Sequence, residues 1–171
     1  VFIAKLRQLA LVARAGRATL PYPAEPHPPA TGFRGLPTVD GEKCVGCGAC
    51  AEACPARLIR VAPEGEHMVL SADFTRCTYC ARCQDVCPTG AFHMTDRFET
   101  ATADRRDLTL RVALQAATCA RCGRPFAAER LVRRAAVSAG ESGPALALLS
   151  LCPDCRRQVY AARLKGGARR G

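Results

Sequence analysis

Twelve cysteines dominate the chemistry available to this 171-residue chain, and they fall into three groups of four. The first group reads CVGCGACAEACP from Cys44 to Pro55, and the second reads CTYCARCQDVCP from Cys77 to Pro88. Both follow C-x2-C-x2-C-x3-C-P, at an offset of 33 residues. The third group abandons that spacing. It consists of two C-x2-C pairs, Cys119 with Cys122 and Cys152 with Cys155, with 29 residues between them. Thiols gathered this way pair as disulfides, bind metal, or sit inert in a core. Repeated regular spacing argues against inert thiols. The opening stretch, VFIAKLRQLALVARAG, is interrupted by Lys5 and Arg7 and lacks a small-residue cleavage pattern. It reads neither as a secretory signal nor as a bilayer span. A reducing compartment and metal-bound thiolates are therefore the expectation.

The repeated run has the spacing of bacterial two-cluster ferredoxins, in which the fourth cysteine of each run ligates the other cluster. That rule assigns Cys44, Cys47, Cys50 and Cys87 to one 4Fe–4S cluster, and Cys77, Cys80, Cys83 and Cys54 to a second. Three cysteines two residues apart let a tight loop wrap three corners of a cubane. Gly46 and Gly48 allow the backbone angles such a loop needs. Cys50 and Cys54 share a helix face at i and i+4, so one turn serves both clusters. Pro55 and Pro88 end those turns. The second copy has Tyr79 and Ala81 where the first has glycines. Tyr79 is expected to pack on its cluster, and the unequal shells predict unequal potentials.

For Cys119, Cys122, Cys152 and Cys155, two knuckles suit a tetrahedral four-sulfur site holding zinc or a single rubredoxin-type iron. A redox-active dithiol pair is the alternative. The chain has no glycine-rich nucleotide loop, no activated nucleophile and no paired carboxylates, and His27, His67 and His93 do not cluster. The expectation is an electron carrier without catalytic residues. The net charge is +10, but residues 1–42 carry +2, residues 43–96 carry −1 and residues 97–171 carry +9. Three thiolate-bound centres at about −2 each lower the total to about +4. A nucleic-acid-binding zinc ribbon is the rival reading of that basic tail. Phe126 and Tyr160 are too few aromatics near the knuckles to stack bases, so no nucleic-acid partner is expected.

These ligands need elements to hold them. The predicted class is α+β. A helix and proline-rich docking strap occupies 1–36, the helix over residues 1–15. A two-cluster ferredoxin domain spans 37–97, and a helical extension with the four-cysteine knuckle spans 98–171. LIRV (58–61), MVLS (68–71) and AFHM (91–94) read as strands. The stretch 104–117 reads as a helix with Asp104 as N-cap, as do 125–138 and 156–165. Periodicity leaves 143–151 open between helix and strand. The end, KGGARRG, is expected to fray.

A proline-rich strap, then FRG (33–35), then the paired runs, resembles the two-cluster ferredoxin subunit of respiratory complex I and of membrane-bound hydrogenases. TCARCGRPFA (118–127) and LCPDCRRQ (151–158) resemble the C-terminal extension of the formate hydrogenlyase and hydrogenase-4 iron–sulfur subunit, which the complex I relative ordinarily lacks. The resemblance implies a non-catalytic relay. It implies electrons passing between an electron-input ferredoxin-like subunit and the hydrogenase small subunit, toward a nickel–iron site in the large subunit. It also implies peripheral attachment to membrane-arm subunits, on the cytoplasmic face of the cell membrane. A complex I-type subunit and a free soluble two-cluster ferredoxin are the alternative readings.

Overall fold

The computed structural model of the chain describes residues 2–17, 19–140 and 144–167. Two compact units divide it, Val1–Gly32 and Phe33–Gly171. In the first, α1 (Phe2–Ala15) is the expected helix, and none of its residues is buried within the unit. Phe2, Ile3, Leu6, Leu9, Leu11 and Val12 are all exposed. The strap residues that follow make a turn in which the Glu25 amide donates to the Pro21 carbonyl. No helix among the described residues is long and apolar enough to cross a membrane.

The second unit is built on two antiparallel sheets. In the smaller, β1 (Pro37–Val39) pairs with β4 (Phe92–Met94), aligning Val39 with Phe92. The pairing continues outward where the Gly35 amide donates to the Thr95 carbonyl and the Leu36 amide to that of Arg97. In the larger, β2 (Ile59–Glu64), β3 (His67–Asp73), β5 (Thr109–Thr118) and β6 (Pro125–Ala128) lie in that order. β3 is inner because its middle is continuously apolar: Met68, Val69 and Leu70 are all buried. Leu70 and Phe92 are the largest fully buried side chains, each contributing about 1.5–3 kcal/mol of transfer free energy.

The expected helix at 104–117 is corrected. Asp104 does cap, accepting from the Arg106 amide at 2.9 Å, but the cap opens only a 3-10 turn over Arg105–Leu108. The residues beyond form β5. The overlooked signal is alternation: Leu108, Leu110, Val112, Leu114 and Ala116 turn inward while Thr109, Arg111, Ala113 and Gln115 are exposed. A period of two is a strand signature. The register sets Leu70 against Val112 and Met68 against Leu114. The helix expected over 125–138 is also corrected at its start, which is β6, and only then comes α4 (Glu129–Ala139). α5 (Pro144–Leu149) and α6 (Pro153–Gly167) complete the chain. The segment after residue 97 therefore supplies two strands to the sheet as well as helices. The last four residues of the expected frayed end, 168–171, lie outside the described residues.

Candidate metal centres

The two cysteine runs are built alike, and their likeness extends past the cysteines. Asp40 opens the first loop: its Oδ1 accepts from the Glu42 amide at 2.9 Å and the Lys43 amide at 3.2 Å. Asp73, 33 residues on, opens the second by accepting from the Thr75 amide at 3.0 Å. Such local side-chain caps turn the backbone away from the preceding strand. After each loop comes a short helix, α2 (Ala49–Ala53) and α3 (Arg82–Asp85), then a cysteine, a proline and a buried residue at a strand start, Ile59 or Phe92. The aspartates were overlooked in the sequence, although the same 33-residue offset marks them.

The loops need left-handed backbone at two positions each. Gly46 and Gly48 have φ of 68° and 76°, and their counterparts Tyr79 and Ala81 have 53° and 62°. Residues with a Cβ pay about 1–2 kcal/mol there. The second copy keeps the geometry against residue preference.

The structure gathers the eight cysteines into two fours. Cys44, Cys47, Cys50 and Cys87 line one space, walled by Val39, Leu70 and Phe92. Cys54, Cys77, Cys80 and Cys83 line another, walled by Ile59, Phe74 and Tyr79. Each takes three sulfurs from one run and the fourth from the other. Backbone amides face the sulfurs: Tyr79 N–H donates to Cys77 Sγ and Leu58 N–H to Cys54 Sγ, both at 3.4 Å. Sulfur donors, apolar walls and amide dipoles are what an iron–sulfur cluster requires, so these residues fit one.

Ionisation differs along the runs. Burial pushes the Cys50 thiol up to about 12 and Cys83 up to about 11. Burial also raises Cys44 and Cys77. Cys87 goes the other way. Burial pulls it upward, but the amides of Phe92, Thr89 and Ala91 and the Thr89 hydroxyl outweigh that, leaving it below the ordinary thiol value.

The knuckles converge as well. The sulfurs of Cys119, Cys122, Cys152 and Cys155 all lie within 4.8 Å of one another, at the end of the β5–β6 hairpin and the start of α6. Cys119, Cys152 and Cys155 are buried, and Phe126 and Leu151 pack on them. The Cys152 amide donates to Cys119 Sγ at 3.2 Å, and with the Arg121 and Cys122 amides it brings that thiol down to about 6. The Arg124 side chain holds Cys122 below the usual range, while burial and the neighbouring thiols push Cys155 up to about 12. Four sulfurs at this spacing suit one tetrahedral ion.

The 4Fe–4S dicluster domain family matches residues 43–91. Formate hydrogenlyase subunit 6 of Escherichia coli (strain K12) is 32% identical over 154 residues, 86% of each chain. F(420)H(2) dehydrogenase subunit I of Methanosarcina mazei is 44% identical over 45 residues, 26% of this chain and 25% of its own. Among solved structures, a chain of the membrane-bound sulfane sulfur reductase, an archaeal respiratory membrane complex, aligns with a TM-score of 0.44 at 36% identity, covering 54% of this chain and 51% of that one. At this identity and coverage the relationship is one of family: the protein is an iron–sulfur subunit belonging to the family of formate hydrogenlyase subunit 6.

Proposed function

We propose that the chain relays electrons through two 4Fe–4S clusters inside a membrane-bound hydrogenase complex. Cys44, Cys47, Cys50 and Cys87 hold one cluster, and Cys77, Cys80, Cys83 and Cys54 hold the other. The crossed sharing of sulfurs between two adjoining spaces is the observation that carries this reading. When bound, the clusters supply reversible one-electron storage. The protein's own groups do the rest. The runs exchange ligands, which staples the halves together and keeps the centres close. Leu70, Phe92, Ile59 and Phe74 exclude water. Amide dipoles favour the added negative charge.

Cys119, Cys122, Cys152 and Cys155 hold one further ion, zinc or rubredoxin-type iron, in a structural role. The partners are the hydrogenase large and small subunits, an electron-input ferredoxin-like subunit and membrane-arm subunits. Electrons pass toward the nickel–iron site, and the subunit lies peripherally on the cytoplasmic face of the membrane. What supports this placement is the formate hydrogenlyase relationship and the exposed apolar side of α1. Anaerobic purification from the native membrane tests the reading. The expected result is co-purification with a nickel-containing subunit, acid-labile sulfide, and about eight cluster irons per chain. A sulfide-free chain purified as a lone monomer overturns it.

A further inference from the structure

Arg130 sits in the first turn of α4, far from the ferredoxin runs in sequence, yet its guanidinium reaches back to the first of them. Nη1 donates to the Gly41 carbonyl at 2.7 Å, to the Glu42 carbonyl at 2.7 Å and to the Cys44 carbonyl at 3.3 Å. Its sequence neighbour Glu129 pairs with Arg133 instead. Among the described residues no carboxylate neutralises Arg130. The same face of the fold is closed by packing: a Cβ added to Gly46 would stand 2.7 Å from Ala128 Cβ, on β6, and 2.9 Å from Leu114 Cδ1, on β5. Among the described residues the second loop has no equivalent side-chain clamp. The carbonyl of Phe74, which corresponds to that of Gly41, takes the amide of Cys77 in its own turn. Cys44 and Cys50 are accordingly buried, while Cys77 and Cys83 are only partly so.

We propose that Arg130 is a positioning residue for the first cluster: it fixes the entry to the loop at Gly41–Cys44, and its positive charge favours the reduced state of the centre held by Cys44, Cys47, Cys50 and Cys87. The inference rests on the two-cluster reading above. Reduction adds one electron, supplied by the donor subunit, and with it one negative charge on the thiolate-ligated centre. No bond breaks and no proton moves. A nearby fixed cation stabilises the reduced member of that pair more than the oxidised one. Arg130 is exposed to solvent, so screening keeps the effect moderate, about two- to tenfold in the ratio of reduced to oxidised cluster at a fixed potential. Tenfold corresponds to about 59 mV for one electron.

The test is a mediated redox titration of the anaerobically purified complex, read by paramagnetic resonance, comparing wild type with Arg130→Lys, Arg130→Gln and Arg130→Met. Arg130→Lys keeps the charge and is expected to titrate near wild type. Arg130→Gln and Arg130→Met are expected to move one cluster signal to lower potential and leave the other in place. The moving signal is the one that Cys47→Ser alters. If Arg130→Met loses that cluster during purification while Arg130→Lys retains it, the positioning role is upheld, and Arg130→Gln reports the potential. Wild-type titration in both neutral variants overturns the proposal, as does a shift confined to the other cluster. A wild-type preparation showing fewer than two cubane signals refutes the two-cluster reading instead.

Discussion

Gly46 and Gly48 provide a matched pair of substitutions that separates backbone strain from packing. Both take left-handed φ, 68° and 76°, two residues apart in one loop. Gly48→Ala adds a methyl group that meets no protein atom within 4 Å. Against the protein its cost is the left-handed penalty alone, about 1–2 kcal/mol. Gly46→Ala pays that penalty and also drives a methyl group to 2.7 Å from Ala128 Cβ and 2.9 Å from Leu114 Cδ1. Leu114 can swing its terminal methyl aside. Ala128 has no side-chain freedom and is fully buried, so relief requires β6 to move. Overpacking of this kind adds about 1–3 kcal/mol. The two variants should therefore differ by about 1–3 kcal/mol, or about 5- to 150-fold in an equilibrium or rate. The assay is the rate of cluster release in guanidinium under anaerobic conditions, followed by visible absorbance, with the order wild type, Gly48→Ala, Gly46→Ala. Equal rates for the two alanine variants would show that β5 and β6 do not back the first loop, and the brace argument would fall with them.

Other expectations are narrower. Ala81→Gly relieves φ of 62° in the second loop and should slow cluster release by up to about 1 kcal/mol in barrier; faster release contradicts the strain assignment. Cys54→Ser should remove the cluster that the second run mainly holds, and selective loss of the other signal by paramagnetic resonance refutes the crossed ligation. Cys152→Ala should release one metal ion per chain, so unchanged zinc and iron totals count against the knuckle site. Ion uptake at the knuckle should also depend on pH with a definite sign. Cys119, held at about 6, is ionised at neutral pH, whereas Cys155, pushed up to about 12, keeps its proton until the metal displaces it. Proton release per ion should rise as pH falls through the Cys119 value. Calorimetry in buffers of different ionisation enthalpy measures this at pH values above and below that point, and equal release at both contradicts the assignment.

The cysteine spacing carried most of the centre's design, because metal ligation demands fixed residue types at fixed separations. The strands flanking each run were legible for a related reason: LIRV, MVLS and AFHM are short apolar stretches next to turn signals. β5 was missed because Asp104 offers a true cap and the residues after it are good helix formers by composition. The inward alternation from Leu108 to Ala116 is the stronger signal there, since only a strand pairs Leu114 with Met68 and Val112 with Leu70. Contacts across long separations were beyond the sequence altogether. Nothing local to Arg130 shows that it will meet the carbonyls of Gly41 and Glu42.

Glycine is absent from the second loop, and the two loops' surroundings bear on why. The first loop lies beneath β5 and β6, and Gly46 has no room for a side chain. At the matching position of the second loop stands the half-buried Tyr79, which lines its own space. In the first loop, then, the extension backs the loop from behind, and in the second a side chain of the loop lines the space. The cost is left-handed backbone at Tyr79 and Ala81, about 1–2 kcal/mol each, in exchange for shielding that glycine cannot give. Two shells made by different means surround centres with identical ligands. Arg130 hydrogen-bonds the first loop and Arg82 lines the second space, so the two shells also differ in where their charges sit.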